Sequence, residues 1–138
     1  MKNEKCVILI DESLPLGIIA NTATVLGITM GMKKPEIVGT DVNDFNGITH
    51  MGVITFPVPI LKSNKNDLKE LREKLYDEKY DDLMVVDFTE LAQSCKNYDE
   101  YIDKMKRCQH NDLDYIGIAI CGNKKEINKL IGNIPLLR

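Results

Sequence analysis

The sequence predicts an α/β fold over residues 1–138: a single layered domain with a mixed four-stranded main sheet, helices on both faces, and a small hairpin flap. Three observations lead there. Four short apolar runs alternate with segments of helical character, the pattern of a sheet covered by helices. Asn46-Gly47, set between polar residues, is a strong two-residue hairpin signal. Glycines and prolines punctuate the boundaries, and no repeat, linker or low-complexity tract divides the chain.

The first strand covers 5–10, with the apolar run Cys6-Val7-Ile8-Leu9-Ile10. An acidic loop, Asp11-Glu12-Ser13, then opens a helix over 15–30. Ser13 is suited to the N-cap, Pro15 fits the first turn, where a missing N–H costs nothing, and Gly31 is a natural stop. This helix is apolar on nearly every side, which predicts burial on more than one face. Gly17, Asn21 and Thr24 share a face at spacings of four and three. That face either looks into a pocket or satisfies itself on backbone carbonyls.

Residues 33–52 have little helical period. The turn at Asn46-Gly47 would set Phe45 opposite Ile48, Asp44 opposite Thr49 and Asn43 opposite His50, giving a polar flap. The next strand is 53–61. Pro57 and Pro59 lie two apart and remove donors from one edge, which means that this strand lies at a sheet border or has that flank covered by something that needs no donors. Ser63 or Asn64 caps a surface helix to about residue 77, with Leu68, Leu71 and Leu75 as its apolar stripe. The nearly continuous apolar run 83–87 reads as a buried strand. A helical stretch follows over 89–107. Leu91, Cys95, Tyr98, Ile102 and Met105 form one seam, read as core, and Asn97-x-x-Glu100 marks a break near Lys96. The last strand is 115–121, Asn123 caps the last helix, and Ile134-Pro135-Leu136-Leu137 is an apolar tail packed onto the body.

At 138 residues the chain is long enough to bury about two-thirds of its unfolded surface. A formal charge of −3 supplies no field to draw in nucleic acid or an anionic membrane, and only the last helix, with Lys124, Lys125 and Lys129, is mildly basic. The composition therefore argues against nucleic-acid and membrane partners. No run of 18 apolar residues occurs, and Met1-Lys2-Asn3-Glu4 leads straight into a strand, so the expectation is a cytoplasmic protein without a signal peptide or membrane span. Cys6, Cys95, Cys108 and Cys121 are scattered, without a C-x-x-C pair or a histidine at ligand spacing. No metal site is expected, and in a reducing compartment the four read as small hydrophobes. Phosphate-loop, dinucleotide, nucleophile-elbow and zinc-helix motifs are absent, so no cofactor is implied.

His50, in the flap, is the side chain type suited to proton transfer near neutrality; its other reading is a hydrogen bond to Asn43 or Asp44. His110 lies in a charged turn and reads as solvated. Asp87 ends a strand, where α/β sheets gather ligands, and equally could cap the helix that follows together with Glu90. Asp11 occupies a comparable end if the two strands are parallel; it and Glu12 either bind a cationic group or cap their own turn. Cys95 beside Lys96 reads as a reactive thiol or as core.

Both ends of the chain carry a resemblance. Ile8-Leu9-Ile10, Gly17 and Ala20-Asn21-Thr22-Ala23 at the start, with Gly117-Ile118-Ala119-Ile120 and 126–137 at the finish, resemble the type 2 peptidyl-tRNA hydrolases. Nearly all of 5–138 more closely resembles the "domain of unknown function 2000" family. The matching segments are Asp11-Glu12-Ser13-Leu14-Pro15-Leu16-Gly17, the Gly39-x-Asp41-x-x-Asp44-x-x-Gly47-x-x-His50-x-Gly52 series, Pro57-Val58-Pro59-Ile60-Leu61 and Gln93-Ser94-Cys95-Lys96. The resemblance implies a type 2 peptidyl-tRNA hydrolase-like scaffold. Where those enzymes carry a working lysine and glutamine on the first helix, this sequence has Ile18 and Thr22. Asp87 and Thr89 are the counterparts it implies for a site aspartate and threonine, at a different spacing. Ester hydrolysis needs groups that position water and stabilise an oxyanion, so the departures favour retention of the scaffold over the reaction.

The expectation is therefore a small polar ligand held between the first helix, the flap and Asp87, with Asp11, Gly17, Asn21, Thr22 and Thr89 as ligand contacts. The alternative is a hydrolase or transferase using His50 and Asp87 as an acid/base pair. The proline-blocked strand and the apolar tail offer a surface for a homodimer.

Overall fold

The computed structural model describes residues 3–138; Met1 and Lys2, the start of the expected lead-in, lie outside them. Its strands are β1 (Glu4–Asp11), β2 (Val42–Asn43), β3 (Thr49–His50), β4 (Ile60–Ser63), β5 (Met84–Thr89) and β6 (Tyr115–Asn123). Its α-helices are α1 (Leu16–Lys33), α2 (Lys65–Lys74), α3 (Glu90–Ser94), α4 (Tyr98–Lys106) and α5 (Lys124–Ile131). The main sheet runs in the order β4-β1-β6-β5, while β2 and β3 form a separate ribbon. β4 is parallel to β1, and β6 is antiparallel to both β1 and β5. The carboxyl ends of β1, β4 and β5 therefore share one end of the sheet. Asp11 and Thr89 do end parallel strands, with β6 between them.

Alternation along β1 builds two cores. Val7 and Leu9 face Leu68 and Leu75 of the α2 segment and Ile127 and Ile131 of α5; Ile8 and Ile10 face Leu26 and Met30 of α1. Helices thus cover both faces. Side chains do the capping as the sequence predicts: Asn64 accepts from the Asp67 amide, Asn97 from Glu100, and Asn123 from Glu126. The long helical stretch breaks into α3 and α4, with the Lys96 amide donating to Glu100 Oε2.

Several expectations change. α1 has no side-chain cap. The Ser13 hydroxyl donates to Asp11 Oδ1, and the helix runs through Gly31 until Pro35 starts a 3₁₀ turn. Nor is α1 buried on several faces. Only Thr22, Leu26 and Met30 are fully buried, while Leu16, Ile28 and Met32 face outward. At 18 residues with mean hydropathy 1.2, α1 reaches membrane-crossing length and composition, yet it packs against β1, β5 and β6. Thr22 sits over Gly117, where an added Cβ would lie 2.7 Å from Thr22 Cγ2; this glycine lets helix and strand approach.

The 83–87 run is not a central strand. β5 is a sheet edge and only half-buried, its apolar character owed to helices on both faces. Strand 53–61 shrinks to β4, which begins only after Pro59 and does lie at the other border. The hairpin register moves by one. Asn43 pairs with Thr49 and Val42 with His50, because the Asp44 carboxylate accepts from the Asn46 and Ile48 amides and Gly47 adopts φ 78°. This closes a three-residue loop in place of a two-residue one. Cys6 and Cys121 stand directly opposite across β1 and β6 and are joined as a disulfide, leaving Cys95 and Cys108 as the free cysteines. The apolar tail is packed down as expected, with Leu137 N donating to Ile60 O and Lys62 N to Pro135 O.

Candidate functional site

β4 has its outer edge covered by the tail, but β5 has nothing beside it. Apart from its ladder with β6, no backbone group of residues 84–88 bonds to another described residue. α1 overhangs this edge from one face, and the α3–α4 turn borders it from the other. Between them lies a cleft of about 390 Å³. Val25 and Thr29 come from α1, Asp87 and Phe88 from β5, and Cys95, Tyr98 and Tyr101 from the α3–α4 wall, with Lys96 and Asn97 at the break between those helices.

The break creates the wall. Had 89–107 been one helix, Tyr98 would continue the Leu91–Cys95 seam into the core. With Asn97 capping a new helix, Tyr98 is mostly exposed and meets Tyr101 edge-on, ring centres 5.4 Å apart. Leu91 and Met105 alone of that seam pack against the inner core. The Tyr101 phenol is pushed up from its ordinary range by burial, reinforced by the Asp87 charge, so it stays a neutral O–H donor. Cys95 is half-buried, its Sγ donating to Leu91 O, 3.2 Å.

Asp87 is the charged anchor. Its Oδ2 accepts from Arg72 Nε at 2.8 Å, both side chains mostly buried. Arg72 lies 4.2 Å from the centre of the Tyr76 ring, and the Tyr76 hydroxyl meets that of Tyr115 at 3.2 Å. Burial, then the Tyr76 contact, raises the Tyr115 phenol far above its usual range. Asp87 Oδ1 has no partner among the described residues. This set can offer one carboxylate oxygen, a phenol donor and an aromatic wall to a planar, polar guest. Among the described residues, no group of three or more His, Cys, Asp or Glu is placed to hold a metal ion.

A family profile described as a protein of unknown function, DUF2000, matches residues 4–138. The chain belongs to the DUF2000 family. Among solved structures, the chain is similar to that of a protein of unknown function, Atu0240, from Agrobacterium tumefaciens strain C58. It matches with a TM-score of 0.86 at 14% identity, over 99% of this chain and 98% of that one, a likeness of fold alone. No curated protein matches.

The residues anticipated for the site are scattered. His50 is exposed in the ribbon, its Nε2 2.8 Å from Asp44 Oδ2, one of the two partners its structural reading named. Asp87 is held by Arg72 instead, so the acid/base pair is not assembled: each member has its own partner. Asp11 caps its own turn, Oδ1 accepting from Ser13 N and Oγ. Thr22 is fully buried and donates to Ile18 O at 2.7 Å, which removes it from any ligand. Thr89 is also fully buried, accepting from the Ala92 amide as the cap of α3. Gly17 and Asn21 are exposed on α1, away from the cleft lining. Only Asp87 belongs to the cleft. Arg72, Tyr98 and Tyr101 were missed; the capping box at Asn97 was the visible signal for the two tyrosines, since a broken helix cannot keep a single seam.

Proposed function

We propose that this DUF2000 chain is a ligand-binding protein on a type 2 peptidyl-tRNA hydrolase-like scaffold, taking a small polar molecule with a planar body into the β5-edge cleft. The observation that carries this reading is the convergence of Asp87, Tyr98 and Tyr101 on one 390 Å³ space, within the range of small-molecule sites. Loss of peptidyl-tRNA hydrolysis is supported by Ile18 and Thr22, which stand where the resembling enzymes use a lysine and a glutamine. An alkane and a hydroxyl turned back on Ile18 O supply neither charge nor free donor. The site anticipated between the first helix, flap and Asp87 keeps its helix and aspartate in this reading and exchanges the flap for α4.

A thermal-shift screen of polar metabolites tests it. Compounds that stabilise the wild type should lose at least about tenfold in affinity with Tyr98→Ala or Asp87→Asn, the loss of one good contact. Stabilisation by nothing in a broad screen, or equal retention by both variants, counts against the cleft. Hydrolysis of peptidyl-tRNA at ordinary enzymatic rates would sink the functional reading altogether.

A further inference from the structure

β4 and β5 are the two edges of the main sheet, and only β4 is guarded. Pro57 and Pro59 precede it, and the tail lies against it. β5 carries neither proline nor lysine, the usual guards of an open edge. Its one charge, Asp87, is offset by Arg72. The parity of the ladders fixes which groups lie open. The Ile8 amide donates to Pro59 O on the β4 side, so Val7 and Leu9 exchange their bonds with Ile120 and Ile118 of β6. Gly117, Ala119 and Cys121 then turn toward β5, where they meet Phe88, Val86 and Met84. Val85 and Asp87 are left with N–H and C=O directed outward, and neither backbone finds a partner there among the described residues.

The cleft continues along this edge. A second space of about 650 Å³ shares Thr29, Val86 and Asp87 with it and reaches past Met84 and Val85 to Lys33. Together they make one groove along β5, walled by α1. A single heterocycle could use one of the two donor–acceptor pairs. A strand uses every second residue, which is the spacing of Val85 and Asp87. The recess argues against a second copy of β5. That strand would bring its own α1 and α4 walls, which would meet before the edges came within about 4.8 Å. A short peptide brings no walls.

We propose that the groove binds a short extended peptide as a fifth strand, antiparallel to β5, with Val85 and Asp87 each exchanging an N–H and a C=O bond with it. The inference rests on the cleft reading above, the planar guest being one of the peptide's side chains. The peptide residue opposite Asp87 points to the same face as Asp87, where the free Oδ1 accepts, the Tyr101 phenol donates and Tyr98 offers a ring. A side-chain amide such as glutamine answers both groups, donating to one and accepting from the other, and needs no counter-charge beside the Arg72–Asp87 pair. Its two neighbours turn to the α1 face with Val86 and Phe88 and are apolar. Main-chain bonds supply the affinity and alternate side chains the selectivity.

Isothermal titration of the full chain with acetyl-Val-Gln-Val-Thr-Val-amide tests it. Saturable binding with a dissociation constant at or below about 1 mM is expected. N-methylation at the glutamine or the threonine, whose amides face β5, should weaken binding at least about tenfold; at the central valine, whose amide faces away, the change should stay under about threefold. Leucine in place of glutamine should also cost about tenfold. Val85→Pro removes an outward N–H and keeps the β6 ladder, so it should cost as much as the threonine methyl group. If that variant fails to fold, the N-methyl series reads the same bonds on the unaltered chain. Absence of saturable binding, or equal effects at all three N-methyl positions, would overturn the proposal. If polar metabolites still bind and lose affinity with Tyr98→Ala while the peptide does not bind, the peptide falls and the cleft reading stands. A peptide that binds but is indifferent to both Tyr98→Ala and Asp87→Asn would overturn the two together.

Discussion

α2 and α5 close one face of the sheet with side chains that change character within a single turn. Leu68 and Ile127 are fully buried, while Lys65, Lys69, Lys124 and Lys125 surround them toward water. α1 closes the other face with no such change. Leu26 and Met30 point to the strands, and Ile28 and Met32, two residues further on, point away from everything. A helix that must end at water records this as alternating polarity. The difference between the faces is one of exposed apolar surface, and its energetic weight can be measured.

The largest expected effect is common to both faces. Leu68→Ala and Leu26→Ala should each lose about 2–5 kcal/mol in urea denaturation, the cost of a cavity in a packed core. Ile28→Ala, at an exposed position, should change stability by less than about 0.5 kcal/mol. If Leu26→Ala proved as mild as Ile28→Ala, α1 would not be seated on the sheet as described.

Glycines sharpen the contrast at a smaller scale. Gly117→Ala should destabilise by about 1–3 kcal/mol, because its Cβ must displace Thr22 and crowds Leu26 Cδ1 at 3.1 Å. Gly27→Ala should instead stabilise by about 0.5–1 kcal/mol, since the helix gains a better former and nothing is displaced. Equal signs for the two would erase the distinction between a glycine that serves the fold and one that no packing requires.

The smallest effect lies in the β2–β3 ribbon. The hydrogen bond from His50, then the Ile48 amide, holds the Asp44 carboxyl below its usual 3.8. A depressed folded-state pKa stabilises the folded ribbon above the unfolded value, and that contribution is lost as pH falls through the lowered one. The carboxyl resonance of Asp44 should titrate below 3.8 in the wild type and move back up in His50→Ala. An unmoved midpoint would detach His50 from the ribbon's turn.

Much of the scaffold was legible residue by residue. Asn64, Asn97 and Asn123 announce their helices because a cap is a local bond between neighbours in sequence. The prolines at 57 and 59 point to a border, where β4 does lie, though the strand itself starts only after Pro59. The candidate site was far less legible. Asp87 could be singled out at a strand end, but its partner Arg72 stands fifteen residues away, on a helix whose charges read as solvated. Tyr98 leaves the seam, and lines the cleft together with Tyr101, because the helix breaks at Asn97. The Asp44 turn misdirected the hairpin register, since a carboxylate accepting two amides outcompetes the simpler Asn46-Gly47 turn.

The sequence by itself determined the order of strands and helices, the asparagine caps and the α/β class, because these rest on interactions within a few residues. Tertiary structure alone decided that β5 is an edge, that Cys6 faces Cys121, and that Leu16, Ile28 and Met32 of α1 stay exposed. Those outcomes depend on which elements meet across the fold, and an apolar side chain carries the same letter whether a strand, a second molecule or nothing lies against it.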